Sequence, residues 1–233
     1  MFFDPMYLLF IAPAALLAAW AQWRVHSAYA AASQVVPASG ISGAEAAALI
    51  LRQAGITGVE IEPVEGHMSD HYDPSAKMLR LSHDVYNGRT LAALGIAAHE
   101  AGHAVQDATH YPLLVMRNGL VPLASWGGNL SWILMMAGFF LQSFNLIVLG
   151  IVAFSITVVF QLINLPVEFD ASSRAKVLLV SMGLVTQAEA PMVARVLSAA
   201  AMTYVAATLM SAMELLYFLY RAGFIGGGSR DDD

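Results

Sequence analysis

Cysteine is absent from the 233 residues. That removes disulfides, thiolate metal ligands and a cysteine nucleophile from the available chemistry. Charge is scarce as well: Asp, Glu, Lys and Arg make up 12% of the chain, about half the share of an average soluble protein. The formal net charge is -6, part of it in the terminal Asp231, Asp232 and Asp233, and no basic run exists that could track phosphates. Nucleic acid is thereby excluded as an expected partner. What fills the chain instead is apolar: 58% of residues are hydrophobic, a composition that fits a membrane protein and not a soluble globule of this size.

Apolar runs of membrane-crossing length fall at about Met6 to Trp23, Gly119 to Leu141, Phe144 to Leu165 and Ala199 to Tyr220, the first three without charge and the last carrying Glu214. The first has Phe2, Phe3 and Asp4 before it and Arg24 after it, the wrong flanks for a cleaved signal peptide, so it is expected to stay as a membrane helix. The second and third are separated by almost no loop and predict an antiparallel helical hairpin whose two open ends face one compartment. Arg24, Arg52, Lys77, Arg80, Arg89, Arg117, Arg174, Lys176 and Arg195 fall on that side, and only Arg221 and Arg230 on the other. The excess of basic residues predicts that this side is cytoplasmic.

Between Ser33 and Arg117 the chain is polar enough for a folded extramembrane domain. A helix is expected from Ser42 to Gln53, ended by Gly55. Two β-like segments follow, Val59 to Val64 and Met78 to Ser82, with Asp73-Pro74-Ser75 as turn chemistry between them. Thr90 is a plausible N-cap for a further helix that ends before Pro112.

That helix carries His99-Glu100-Ala101-Gly102-His103, the H-E-x-x-H pattern. Four residues of α-helix turn through about 400°, so the two imidazoles emerge one turn apart on one face and can share a metal. A carboxylate beside them can accept a proton from a metal-bound water, which makes Glu100 a candidate general base. A catalytic zinc keeps three protein ligands, and without cysteine the third must be His, Asp or Glu. Glu168 and Asp170, where the third span ends, are the candidates on the correct side.

Asp70-His71-Tyr72-Asp73-Pro74, Ala97-Ala98-His99-Glu100-Ala101-Gly102-His103-Ala104-Val105-Gln106 and Leu165-Pro166-Val167-Glu168-Phe169 resemble the signature of the YugP-like zinc-dependent membrane proteases. Phe2-Phe3-Asp4-Pro5 and Tyr204-Val205-Ala206-Ala207 extend the resemblance over nearly the whole chain. The resemblance implies a neutral zinc metallopeptidase with four membrane helices, with His99, His103 and Glu168 as zinc ligands and Glu100 as the base. Membrane zincins of the HtpX and CAAX-protease type place the ligand Glu at the head of a Glu-x-x-Ala-Asp stretch. Here Glu168 and Ala171 fit that spacing, but Ser172 occupies the Asp place. An acid that would orient one imidazole is therefore missing or supplied elsewhere.

Four further residues are candidates for orienting ligands or stabilising an oxyanion. His71 and Tyr72 carry an imidazole and a phenol suited to that role, although the Asp and Pro around them also suit a plain turn. Asp170 could be the missing acid or an alternative ligand, and Asn164 is near Glu168 in the chain. His26, His67, His83 and His110 are expected at loops, helix ends or the interface. The β-like segments beginning at Val59 and Met78 could offer an edge on which an extended peptide adds as a strand.

The expected fold is a mainly α membrane protein with about four transmembrane helices and a cytoplasmic zincin-like α+β domain carrying the motif helix and a short β-hairpin. Its expected parts are an N-terminal transmembrane helix (1–24), a cytoplasmic zincin-like domain (25–118), a transmembrane hairpin (119–166), a cytoplasmic helical segment with the third ligand (167–198), a last transmembrane helix (199–221) and a short tail (222–233). The expected function is a multi-pass cell-membrane zinc metalloendopeptidase, gluzincin-like, acting on membrane or membrane-proximal proteins. Its expected cofactor is Zn²⁺, and its expected partners are the bilayer and a protein or peptide substrate, with a membrane partner protein or a homo-oligomer left open. The rival class is a non-catalytic metal-binding membrane scaffold, against which the intact Glu100 argues, since a structural zinc needs no base. A transporter is disfavoured because no polar stripe runs through mid-membrane.

Overall fold

The computed structural model describes residues 4–225. Phe2 and Phe3 of the opening motif, Arg230, the acidic end Asp231–Asp233 and most of the 222–233 tail lie outside the described residues. The elements run α1 (Pro5–Ala32), α2 (Gly43–Gln53), β1 (Glu60–Val64), β2 (His71–Asp73), β3 (Met78–Ser82), α3 (His83–Tyr86), α4 (Leu91–Ala108), α5 (Pro112–Phe140), α6 (Phe144–Ser181) and α7 (Ala190–Arg221). The protein is mainly helical with one small sheet, and α1, α5, α6 and α7 are long and apolar enough to cross a membrane. Within the described residues these elements form two compact units, one of residues 4–20, 116–165 and 204–225, the other of residues 21–115 and 166–203.

The first unit is held by close helix packing. The α5–α6 hairpin turns through Leu141-Gln142-Ser143, with Gln142 in the left-handed region (φ 51°) and the Ser143 amide donating to the Gly138 carbonyl at 2.8 Å. Its core comprises Met135, Ile151, Phe154, Val158, Tyr217 and Phe218. The Tyr217 hydroxyl donates to Asp4 Oδ2 at 3.0 Å, joining the start of the chain to α7.

The second unit begins from local signals. Ser42 and Glu45 form a reciprocal capping box at the start of α2, with bonds of 2.6 and 3.2 Å, and Gly55 (φ 70°) lies just beyond its end. Thr90 caps α4, its Oγ1 accepting from the Ala93 amide at 3.2 Å. α4 is buried along most of its length against a core that includes Ile50, Leu51, Leu79, Leu81, Leu179, Val193 and Leu197.

One expectation needs correction. The segments at Val59 and Met78 do not form one hairpin: β1 runs parallel to β3, the sheet order is β1-β3-β2, and the hairpin joins β2 to β3. Asp73 Oδ1 accepts from the Ser75 and Ala76 amides at 2.9 and 3.1 Å and Lys77 takes a left-handed φ of 54°. The turn chemistry therefore closes on a strand directly before it, too short at three residues to announce itself by alternation. β3 is consequently the central strand, and the edges belong to β1 and β2, not to the Met78 segment. Helix α6 continues through Pro166 to Ser181 without a break. An interior proline removes one backbone donor, a loss that long packed helices of membrane proteins tolerate.

Candidate metal centre

Helix α4 presents His99 and His103, and α6 presents Glu168 and Ser172, each pair one turn apart. Gly102 permits the meeting: a Cβ there would lie 2.9 Å from the Ala171 carbonyl oxygen, closer than side-chain carbons approach backbone. His99 Nε2 lies 3.2 Å and His103 Nε2 3.6 Å from Glu168 Oε2. The side chains of these residues are 13%, 9% and 7% exposed. Among the described residues this is the group of three whose ligand atoms all fall within 4.8 Å of one another.

The donor set fits a small divalent cation. Tetrahedral coordination with bonds of about 2.0–2.1 Å places neighbouring ligand atoms about 3.3 Å apart, against 3.2 and 3.6 Å here. Two imidazoles and a carboxylate suit zinc and its first-row neighbours. Burial pulls the His103 imidazolium down, but the hydrogen bond to Glu168 and the charges of Glu100 and Glu168 outweigh it, and its pKa stands above the ordinary histidine value.

Further contacts orient each imidazole. His103 Nδ1 lies 2.9 Å from Gln106 Oε1, one turn on along α4, and His99 Nδ1 lies 3.2 Å from Ser172 Oγ. The serine standing where an acid was expected thus meets an imidazole itself. Asp170 does not join the cluster as a ligand; its Oδ2 accepts from Gln106 Nε2 at 2.8 Å and pairs with Arg174. Gln106 went unassigned in the sequence although its place three residues after His103 sets it on the same helix face.

Glu100 is buried, and its Oε2 accepts from the Tyr72 amide at 3.1 Å. The Tyr72 phenol donates to Asp107 Oδ2 at 2.6 Å, and Lys77 Nζ reaches the same oxygen at 2.6 Å. Tyr72 therefore spans two turns of α4, holding Glu100 through its backbone and Asp107 through its side chain. His71 is exposed, with Nδ1 2.8 Å from the Ser69 carbonyl. Asn164 is buried on α6, one turn before Glu168; the imidazole contacts described above are those of Gln106 and Ser172. His26, His67, His83 and His110 are exposed.

With this geometry in view, the likeness to known proteins becomes specific. A family model described as "Putative neutral zinc metallopeptidase" matches residues 7–223. The chain belongs to this family. "Putative membrane protease YugP" of Bacillus subtilis (strain 168) is 47% identical over 215 residues, covering 92% of this chain and 96% of that protein. No solved structure matches the chain significantly. The match to this metallopeptidase family covers both α4 and α6, so His99, Glu100, His103 and Glu168 all lie within it.

Proposed function

We propose that the chain is an integral membrane zinc metalloendopeptidase of the gluzincin type, with His99, His103 and Glu168 as ligands and Glu100 as general base. The observation that carries this reading is the convergence of two imidazole Nε2 atoms and one carboxylate oxygen beside a separately anchored carboxylate. A zinc ion held there supplies Lewis acidity, drawing the pKa of a water toward neutrality and polarising a scissile carbonyl. Glu100, fixed at Oε2 by the Tyr72 amide, takes the water's proton and returns it to the departing amine. The half-closed shell of three ligands favours catalysis over a structural ion, which takes four.

Glu168 shares one helix with the apolar stretch of α6, which favours protein substrates in or beside the bilayer. The distribution of arginine and lysine along the chain supports a multi-pass cell-membrane protein with its site on the cytoplasmic side.

Metal content and casein cleavage by wild type, Glu100→Gln and Glu168→Ala in detergent test the reading. Wild type should hold about one zinc per chain and cleave. Glu100→Gln should keep the metal and lose about 10²–10⁴-fold in turnover, and Glu168→Ala should lose the metal. Cleavage by metal-loaded Glu100→Gln at the wild-type rate would refute the assigned base. Zinc in wild type with no cleavage would move the conclusion to a metal-binding scaffold.

A further inference from the structure

Gln106 has no part in the chemistry above, yet it is fully buried and both ends of its amide are engaged. Its Nε2 donates to the Val167 carbonyl at 2.9 Å and to Asp170 Oδ2 at 2.8 Å. Both partners only accept. The amide therefore cannot be turned over, because the flipped group would set its own oxygen against a carbonyl and a carboxylate in a buried place. This commits Oε1 to the opposite side, 2.9 Å from His103 Nδ1.

An amide oxygen cannot donate, so Nδ1 must carry a proton whether the ring holds one proton or two. The ring nitrogen left for a metal is then Nε2, the one 3.6 Å from Glu168 Oε2. Behind Gln106 the arrangement is braced: Asp170 pairs with Arg174, whose guanidinium lies 5.8 Å from the Tyr111 ring centroid, and the Tyr111 amide donates to the Gln106 carbonyl at 2.8 Å. His99 has no such constraint, since the Ser172 hydroxyl beside its Nδ1 can donate or accept.

We propose that Gln106 is a positioning residue which, held by Val167 and Asp170, fixes His103 as the Nδ1–H tautomer and so presets Nε2 as the metal-binding nitrogen before metal arrives. His103 is then the rigid ligand of the pair and His99 the adaptable one. The consequence for affinity rests on the metal-centre reading, whereas the tautomer is a property of the metal-free protein and can be read without it.

Two measurements on the full chain in detergent decide the matter. Zinc affinity is measured by competition with a chelator for wild type, Gln106→Met and Asp170→Ala, with circular dichroism to establish folding. Gln106→Met keeps length and apolar bulk while removing the amide, and should weaken zinc binding about 10–100-fold. Asp170→Ala removes only the brace at a partly exposed position and should weaken it by about threefold or more. Nitrogen NMR of histidine-labelled, metal-free wild type should place a proton on His103 Nδ1. Zinc binding within about twofold of wild type in the folded variants, or a metal-free His103 protonated at Nε2 alone, would overturn the proposal. If Gln106→Met does not fold, Asp170→Ala carries the affinity arm. If wild type binds no zinc, the metal-centre reading fails and the NMR result alone decides on the tautomer.

Discussion

Two helix pairs in this protein meet at glycine and put the closeness to different use. In α5–α6 a Cβ on Gly127 would lie 3.0 Å from the Ala153 carbonyl oxygen, and one on Gly138 2.8 Å from the Ile147 amide nitrogen. The buried neighbours there are Met135, Ile151, Phe154 and Val158, and the contact is one of shape. In α4–α6 the Gly102 position stands 2.9 Å from the Ala171 carbonyl oxygen, but the flanking residues are His99, His103 and Gln106 facing Glu168, Asp170 and Ser172. The same backbone device thus supports dispersion in one pair and a connected polar network in the other. A network in low dielectric tolerates far less displacement, because each parted bond leaves a buried polar group unpaired.

Gly102→Ala should break the comparison most severely. Its methyl group must push α4 from Ala171, costing about 1–3 kcal/mol and weakening zinc binding by about tenfold or more as ligands lose register; thermal unfolding and chelator competition measure both. Gly127→Ala sharpens it: a comparable loss of about 1–3 kcal/mol should leave zinc affinity unchanged. If both variants lose zinc equally, the polar pair is not specially sensitive.

Tyr72→Phe removes the phenol bond to Asp107 and should cost about 0.5–1.5 kcal/mol. Casein turnover should fall while zinc content holds, since the Tyr72 amide that steadies Glu100 loses its anchor. Burial first, then the Asp107 bond and charge, hold the Tyr72 phenol above the ordinary tyrosine value. Its contribution is complete below about pH 10, where the unfolded phenol begins to ionise, and is lost as pH rises toward the higher folded value. The alkaline decline in stability should therefore be shallower in Tyr72→Phe than in wild type. Ser42→Ala, remote in role from either pair, should cost about 1 kcal/mol through the lost α2 cap and leave turnover per folded molecule unchanged.

Local signals were the legible part. Thr90, the stretch from Ser42 to Gly55 and the apolar runs announced their helices because capping, helix-ending glycine and membrane length are properties of neighbours in sequence. The spacing of His99 and His103 likewise needed only helical geometry. The place of β3 between β1 and β2 was not legible, since strand order depends on pairing across thirteen residues of connection and a three-residue strand has too little pattern to detect. The apolar run showed where the third span ends, at about Leu165, but not that its helix continues through Pro166 to Ser181.

The sequence by itself determined the membrane class, the family, the motif helix and the absence of thiol chemistry, because composition, hydrophobic run length and i,i+4 spacing act within short stretches of chain. Only the tertiary structure decided that Glu168 meets both imidazoles, that Ser172 and Gln106 face their far nitrogens, and that Tyr72 ties Glu100 to the sheet. Apart from Gln106, which is three residues from His103, those contacts join residues 28 to 73 positions apart, and the ones between α4 and α6 exist because Gly102 lets the two helix backbones approach closely enough for short polar side chains to touch.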